Sequence, residues 1–252
     1  MITLSNINKT FNKGNPLEIK ALKDINLELK ENSFHIIIGA NGSGKSTLLN
    51  LLAGNIFPDS GQILLNNASI EHLPNYKRSK FIARIFQNPV LGTAPDLSLL
   101  DNFKLAAART HPKNLWINND AAFNKKVIES VASLGTGLEN RINQPMSSFS
   151  GGQRQALSLL MATFDELQLL LLDEPTAALD PSASKTVMEL AKKIIEERKL
   201  TAIMVTHDLR HCIDYGTNIL QMQQGQIIRS IDSIQKEKLN LNQLYSFFEN
   251  EN

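Results

Sequence analysis

A glycine-rich segment at residues 39–47, GANGSGKST, carries the clearest chemistry in this sequence. Its spacing is Gly, four residues and then Gly-Lys-Ser, with an apolar run before it and a helix-like stretch after it. Glycines allow the backbone angles that turn successive N–H groups toward one point, so the segment predicts an anion nest at a helix N-terminus. Lys45 would add a catalytic positive charge for the β- and γ-phosphates of a nucleotide, and the Ser46 hydroxyl would bind Mg²⁺. The residues that we expect to contact nucleotide here are Gly39, Ala40, Asn41, Gly42, Ser43, Gly44, Lys45, Ser46 and Thr47.

Two carboxylates, Asp173 and Glu174, directly follow an apolar run of four leucines at 169–172. A buried strand fixes where its C-terminal side chains point, and nucleotide sites in α/β sheets lie at that edge. Asp173 suits a contact to Mg²⁺ or its water. Glu174 suits polarisation of an attacking water, a role worth on the order of 10²–10⁴ in rate. The alternative is a pair of solvated acids at the start of the helix after Pro175.

Gln87 and His207 each stand just beyond a further short apolar run. The Gln87 amide could contact Mg²⁺ or the attacking water and so signal the presence of the γ-phosphate to the helical lobe that follows it. A glutamine in a turn often has no such role. His207 would share a sheet edge with Asp173, where an imidazole can donate to the γ-phosphate or orient the water. We therefore predict that Gln87 and His207 are catalytic, and that Gln87 also binds the metal.

Two other side chains leave alternatives open. A metal site formed by His207, His211 and Cys212 would compete with the phosphate role of His207, but the sequence offers no obvious fourth ligand. Phe11 precedes a turn at 12–16 and could stack on adenine, since base–aromatic stacking is worth ~1–3 kcal/mol. Periodicity alone is equally compatible with a phenylalanine in the core.

The segment Ser150-Gly151-Gly152-Gln153 lies shortly before the leucine strand and its two carboxylates. In that position it indicates an ATPase whose site is shared between two copies of the fold. A helix entered through this segment would present the Ser150 hydroxyl and backbone N–H groups at its N-terminus.

Composition limits the remaining choices. The chain has 252 residues, a formal net charge of +1 and 42% hydrophobic residues, which are ordinary values for a globular protein. A net charge this small shows no excess of positive charge of the kind that indicates nucleic-acid binding. The single cysteine, Cys212, excludes an internal disulfide and fits a reducing compartment. No signal peptide and no run of about 18 apolar residues is apparent, so we expect a cytoplasmic protein without a membrane span.

The pattern along the chain predicts which elements position these residues. Alternation over residues 2–29 predicts antiparallel strands, and continuous apolar runs predict buried strands at 34–38, 169–172 and 202–205. Helical spacing over about 97–138 predicts a helical lobe inserted into an α/β core. We expect one domain over 1–252, with the core at 1–88 and 149–225, the helical subdomain at 89–148, and a C-terminal strand and helix extension at 226–252.

With these residues in view, the sequence resembles the nucleotide-binding subunit of ABC transporters over about residues 4–225. The motifs that carry the resemblance are, in chain order, the phosphate loop Gly39–Thr47, the glutamine loop at Gln87, the signature Ser150–Gln153, the carboxylates Asp173-Glu174, the D-loop Ala178-Leu179-Asp180 and the switch histidine His207. The resemblance implies a P-loop NTPase core sheet with an antiparallel β subdomain and an inserted α-helical subdomain. It also implies Mg²⁺-dependent ATP hydrolysis coupled to transport.

The resemblance further implies a head-to-tail homodimer with two ATP molecules at its interface. Each nucleotide would lie between the phosphate loop of one subunit and the signature of the other, so the nucleotide-binding residues that it implies there are Ser150, Gly151, Gly152 and Gln153. Separate integral membrane permeases would receive the motion at the inner face of the membrane. Residues 88–95, NPVLGTAP, look like those of ATPases in tryptophan/tyrosine-type uptake systems, which also use an extracytoplasmic substrate-binding protein. Two departures from the commonest pattern are Phe149, where leucine usually opens the signature, and Ala177, where serine is more frequent.

Import of a small solute such as an amino acid is the leading interpretation. An exporter or a lipid or lipoprotein extraction complex is the alternative that these motifs leave open. A non-transport ABC protein of DNA repair or translation is less favoured, because such proteins usually carry long coiled-coil insertions or tandem cassettes. A nucleotide-binding regulator without ATPase activity is the least specific interpretation.

Overall fold

The computed structural model describes residues 1–110 and 120–249. The predicted helical subdomain and C-terminal extension include 111–119 and 250–252, which lie outside the described residues. The strands are β1 (Ile2–Phe11), β2 (Ile19–Leu29), β3 (Phe34–Ile38), β4 (Ser60–Leu65), β5 (Ala68–Ser69), β6 (Ile82–Ile85), β7 (Leu169–Asp173), β8 (Thr201–Val205), β9 (Asn218–Gln223) and β10 (Gln226–Ile231). The helices are α1 (Lys45–Ala53), α2 (Asn75–Arg78), α3 (Leu99–Ala107), α4 (Ala121–Ala132), α5 (Gly151–Ala162), α6 (Pro181–Glu197), α7 (Leu209–Asp214), α8 (Ser233–Lys236) and α9 (Leu241–Glu249).

Two sheets organise the chain. The N-terminal sheet has the strand order β2-β1-β4-β5, and every pair in it is antiparallel, as the alternating pattern predicts. The second sheet has the order β10-β9-β3-β8-β7-β6, in which only the edge strand β10 runs antiparallel. Its central strands are continuous apolar runs because both faces of that sheet are covered.

Alternate residues of β3 enter two different cores. Ile37 packs with the leucines of α1 in the core shared with the antiparallel sheet, while Ile36 and Ile38 face the core that contains α5, α6 and the helical subdomain. Helix α1 is therefore held between the two sheets, and all four of its leucines are fully buried. This burial fixes the position of α1, and with it the helix N-terminus at the phosphate loop.

The parallel strands bring the predicted site residues to one edge. The carboxyl ends of β3, β6, β7 and β8 lie side by side, since β3 pairs with β8, β8 with β7, and β7 with β6. The phosphate loop, Gln87 and His207 come within two residues after those ends, and Asp173 is the last residue of β7. The prediction that His207 shares a sheet edge with Asp173 is confirmed, and the phosphate loop and Gln87 lie at the same edge.

Helix α6 begins at Pro181, because the Asp180 carboxylate accepts hydrogen bonds from the N–H groups of Ser182 and Ala183 and caps it there. Most predicted elements match the structure, and the main difference lies in the C-terminal extension. The single closing helix that we expected is two helices, α8 and α9. Among the described residues, no helix is long and apolar enough to cross a membrane.

A buried histidine in β3 predicts a pH-dependent stability. His35 is 5% exposed, and burial lowers its pKa from 6.5 to about 4. Below pH 6.5 the unfolded chain binds a proton that the folded chain does not bind until about pH 4, so stability falls as the pH falls through this window. Between pH 7 and pH 5 we expect this group to remove about 2 kcal/mol from the free energy of unfolding.

Urea unfolding of the wild type and of His35→Gln at both pH values tests this prediction. The carboxylates whose pKa values are lowered also titrate on acidification, so the measured quantity is the difference in pH slope between the two proteins. Equal slopes would contradict the prediction, whatever the absolute stability of the variant.

Candidate functional site

Two glycines give the phosphate loop its shape. Gly39 has φ +150° and Gly44 has φ +104°, so both occupy backbone conformations that other residues rarely adopt. A Cβ on Gly39 would lie 2.1 Å from the carbonyl oxygen of Met222, and a Cβ on Gly44 would lie 2.6 Å from that of Ala21. The loop is therefore packed directly against neighbouring backbone, which leaves no room for a side chain at either position.

Lys45 curls back over this loop. Its Nζ donates to the carbonyl oxygens of Gly39 and Ala40 at 2.7 and 2.9 Å. Burial lowers the pKa of Lys45, while the nearby carboxylates of Glu174 and Asp173 act in the opposite direction. The ammonium group thus lies on the loop and is close enough to both predicted carboxylates to feel their charge.

The N-terminus of α1 supplies further anion-binding groups. Its N-cap residue, Gly44, makes no side-chain capping hydrogen bond, and no acidic residue lies in the first turn. The first N–H groups of a helix have no partner within the helix and carry a partial positive charge. Ser46 is exposed and Thr47 is half-buried, so both hydroxyls are accessible beside these donors.

Asp173, at the end of β7, is paired with an arginine that the sequence analysis did not single out. Arg84 of β6 places Nη2 2.5 Å from Asp173 Oδ2 and Nη1 2.6 Å from Asn50 Oδ1 of α1. A lone charged residue inside the apolar run at 82–86 was the signal that could have identified it, because a charge there needs a partner.

Glu174 and His207 meet directly. His207 Nε2 lies 2.7 Å from Glu174 Oε1, and the pair opens onto a cavity of about 590 Å³. Glu174 has φ +46°, a left-handed conformation that costs energy for a residue other than glycine and often occurs at functional sites. Its N–H donates to the carbonyl oxygen of Val205 at 3.0 Å, which holds this turn against the end of β8.

Gln87 is exposed two residues beyond β6 and precedes a short 3₁₀ turn at Pro89–Gly92. A second glutamine behind it, Gln155 of α5, was missed by the sequence analysis. Gln155 is fully buried, and its Nε2 donates to the carbonyl oxygens of Phe86 and Pro175 at 3.0 and 2.8 Å. One amide thus joins α5 to the turns that carry Gln87 and Glu174.

His207, His211 and Cys212 do not form the alternative metal site that the sequence left open. Cys212 is completely buried, and burial raises the pKa of its thiol to about 12, so it is a poor source of thiolate. His211 Nδ1 instead lies 3.2 Å from the Thr206 hydroxyl. Among residues 1–110 and 120–249, no group of three or more His, Cys, Asp or Glu residues could hold a metal ion.

The Ser150–Gln153 segment forms the N-terminus of α5 through a capping box. Ser150 Oγ accepts from the N–H of Gln153 at 3.3 Å, and Gln153 Oε1 accepts from the N–H of Ser150 at 3.0 Å. Gly152 faces α6, where an added Cβ would lie 2.6 Å from the Cβ of Ala183. The glycine is therefore required for the close approach of α5 to α6.

The two halves of the predicted nucleotide site lie in different cavities of the chain. Ser150, Gly152 and Gln153 line a cavity of about 460 Å³ that contains no phosphate-loop residue. Gly39 and Ala40 line another, of about 530 Å³, together with His207. These two cavities of one chain share no lining residue.

Phe149 and Phe11 have opposite environments. Phe149 is 2% exposed in the core that includes the helical subdomain, and the guanidinium carbon of Arg141 lies 4.6 Å from its ring centre. The unusual signature residue thus acts in packing of that subdomain. Phe11 is 36% exposed at the end of β1, which excludes the core alternative and leaves its ring accessible.

Comparisons with known proteins identify a matching family. The family model described as ABC transporter matches residues 22–177. A tyrosine transport ATP-binding protein of Clostridioides difficile is 36% identical over 253 residues, covering 99% of each chain.

Solved structures give the same result. An ATP-binding cassette in a dimeric post-hydrolysis state, bound to ADP and Pi, superposes with a TM-score of 0.79 at 30% identity, covering 92% of this chain and 99% of that one. The cbiO1 protein of Clostridium perfringens, part of the ABC transporter complex cbiONQ, superposes with a TM-score of 0.77 at 27% identity, covering 98% of both chains. The chain belongs to the ABC transporter family, as an ATP-binding and ATP-hydrolysing nucleotide-binding domain.

Proposed function

We propose that this chain powers import of a small solute such as an amino acid through separate membrane-spanning partners. The observation that carries the proposal is the Glu174–His207 pair beside the phosphate loop, on a chain 36% identical over its length to a tyrosine transport ATPase. In this proposal the subunit works at the inner face of the cell membrane. An extracytoplasmic binding protein delivers the solute to the permease on the other side.

The proposed roles follow from the geometry of the sheet edge. The phosphate loop, the uncapped N-terminus of α1 and the Lys45 ammonium bind the phosphates of ATP. Glu174 accepts a proton from the attacking water, and His207, 2.7 Å away, orients that carboxylate or donates to the γ-phosphate. Gln87, at the joint with the helical subdomain, senses whether the γ-phosphate is present.

The residues proposed for Mg²⁺ have suitable chemistry. Ser46, Gln87 and Asp173 offer a hydroxyl, an amide and a carboxylate oxygen, which are the hard ligands that Mg²⁺ prefers. Asp173 Oδ2 accepts a hydrogen bond from Arg84, so Oδ1 would be the oxygen left to hold a metal or its water. The metal would neutralise charge on the β- and γ-phosphates, while these side chains hold it in place.

A second copy of the chain completes the proposed site. Because Ser150 and the phosphate loop line different cavities, the Ser150 hydroxyl and the N-terminus of α5 would contact ATP held by the partner's phosphate loop. The resulting head-to-tail dimer would hold two ATP molecules and loosen after hydrolysis. That motion would pass through Gln87 and the helical subdomain to the permease.

The alternative is the energy subunit of an exporter or of a lipid or lipoprotein extraction complex. Affinity purification of the tagged chain from detergent-solubilised membranes, followed by identification of the bound proteins, separates the two. Import predicts recovery of a multi-span permease and loss of labelled amino acid uptake when the chain is deleted. Unchanged uptake, together with recovery of an export or extraction complex, would overturn the proposal.

Phe11 provides a separate test of base binding. If its exposed ring stacks on adenine, Phe11→Ala should weaken ATP binding by ~1–3 kcal/mol, or about 5- to 150-fold in Kd. Phe11→Trp should retain affinity and report binding through quenching of its fluorescence. Ile19, which pairs with Phe11 across the sheet and is also exposed, offers the control variant Ile19→Ala. Equal affinities for Phe11→Ala and Ile19→Ala would contradict stacking.

A further inference from the structure

We infer that Arg84 is a positioning residue for the metal-binding carboxylate, linking Asp173 to the face of α1 that carries Ser46. This inference rests on the proposed metal role of Asp173. It concerns a side chain outside the phosphate loop, the signature and the other motifs that identify the family.

Arg84 lies where it can link two elements of the site. In the parallel pair of β6 and β7 its register partner is Leu171, two residues before Asp173. Its guanidinium therefore reaches forward along the sheet to the end of β7. The side chains of Arg84 and Asp173 are only 11% and 17% exposed, so the ion pair is weakly screened by solvent.

The guanidinium is held on several sides. Nη2 donates to Asp173 Oδ2 at 2.5 Å, Nη1 donates to Asn50 Oδ1 at 2.6 Å, and the guanidinium carbon lies 5.0 Å from the ring centre of Phe86. Asn50 is four residues after Ser46 on α1, so both project from the same helix face. Arg84 thus bridges the helix that presents the Ser46 hydroxyl and the strand that presents the Asp173 carboxylate.

The guanidinium leaves one nitrogen unpaired within the described residues. Arg84 Nε is buried and has no hydrogen-bond partner among the described residues, and neither do Gln155 Oε1 and Ser158 Oγ. The three residues line a cavity of about 180 Å³, which also borders Asn88, Pro89 and Gly92 of the turn after Gln87 and is large enough to hold water. Arg84 therefore relies on Asp173 and Asn50 as its polar partners among the described residues.

Two effects of removing Arg84 oppose each other. Loss of a positive charge near the metal would strengthen cation binding, whereas loss of the fork that fixes Asp173 would weaken it. Residues that hydrogen-bond to a metal ligand typically contribute 10- to 100-fold to metal affinity or activity. Because a rigid planar fork joins Asn50 and Asp173, we expect the positioning effect to dominate.

The test measures how strongly Mg²⁺ tightens binding of a fluorescent, non-hydrolysable ATP analogue, by comparing its Kd in Mg²⁺ with its Kd in EDTA. In Arg84→Ala this tightening factor should fall about tenfold, while the Kd in EDTA stays within about twofold of wild type. Arg84→Lys, which keeps the charge but loses the fork, should give an intermediate factor. Asn50→Ala should lower the factor less than Arg84→Ala.

Arg109→Ala is the matched control. Arg109 is also half-buried and borders the same cavity, but its guanidinium donates to the carbonyl oxygens of Ala106 and Ala162 at 2.8 and 3.1 Å rather than to Asp173 or Asn50. It should lower the melting temperature without changing the Mg²⁺ factor. A factor that falls equally in Arg84→Ala and Arg109→Ala would assign Arg84 a structural role only.

Asp173→Asn separates the two levels of the inference. If it leaves the Mg²⁺ factor unchanged, the proposed metal role of Asp173 fails. If it lowers the factor while Arg84→Ala leaves it unchanged or raises it, only the positioning role of Arg84 fails. The double variant should fall no further than Asp173→Asn alone, since Arg84 acts through that carboxylate.

Discussion

Glu174→Gln is expected to lower ATP turnover by on the order of 10²–10⁴, because an amide cannot accept the proton of the attacking water. The substitution preserves shape, and the amide oxygen can still accept from His207 Nε2, which lies 2.7 Å from the native carboxylate. ATP should therefore still bind, and a dimer should accumulate in Mg²⁺-ATP. Steady-state phosphate release gives the rate, and size-exclusion chromatography with ATP gives the dimer.

Glu129→Gln provides the matched control for this prediction. Glu129 is an exposed residue of α4 whose carboxylate lies 3.9 Å from Lys125 Nζ. Removing an exposed pair of this kind changes stability by at most about 1 kcal/mol, so turnover should remain near that of wild type. Full turnover in Glu174→Gln would remove Glu174 from its assigned role as base.

Mixing two inactive variants should restore ATPase activity if each site is shared between two chains. Lys45→Ala removes the phosphate-loop ammonium, and Ser150→Asp places a carboxylate where the partner's γ-phosphate would bind. Asp is also a good N-cap residue, so α5 should keep its capped start and its stability. In a mixed dimer one site carries both changes and the other carries neither.

Each variant alone should lose most of its turnover, whereas an equimolar mixture should recover about a quarter of the wild-type rate, because random pairing leaves that share of sites intact. Ser150→Asn, a neutral capping residue, controls for loss of the hydroxyl. Absence of recovery in mixtures shown by cross-linking to contain mixed dimers would count against a shared site.

The local parts of the site were predictable because their signals are local. Three signals lie within 20 consecutive residues: the apolar run of β3, the glycine spacing after it and the helical periodicity of α1. Each can be recognised from neighbouring residues alone. The capping box of α5 likewise depends on residues three positions apart. These segments appear in the structure where the sequence indicates them.

The supporting contacts were not predictable, because they join residues that are distant in the sequence. Arg84 meets Asn50 and Asp173, which are 34 and 89 positions away, and only the strand order of the sheet brings them together. Gln155 is a further example, since its amide is satisfied by carbonyls 69 and 20 positions away. The sequence shows an arginine and a glutamine in apolar surroundings but does not show which partners they find.

The contact between Gly152 and Ala183 has a mechanical consequence. A carbon added to Gly152 would lie 2.6 Å from the Ala183 side chain, so α5 and α6 touch with almost no intervening atoms. Ala183 lies in the first turn of α6, directly after the Asp180 cap that ends the D-loop. The signature at the start of α5 and the D-loop before α6 should therefore move as one rigid body within a subunit. A displacement of either segment should be transmitted to the other, because no flexible side chain lies between them to absorb it.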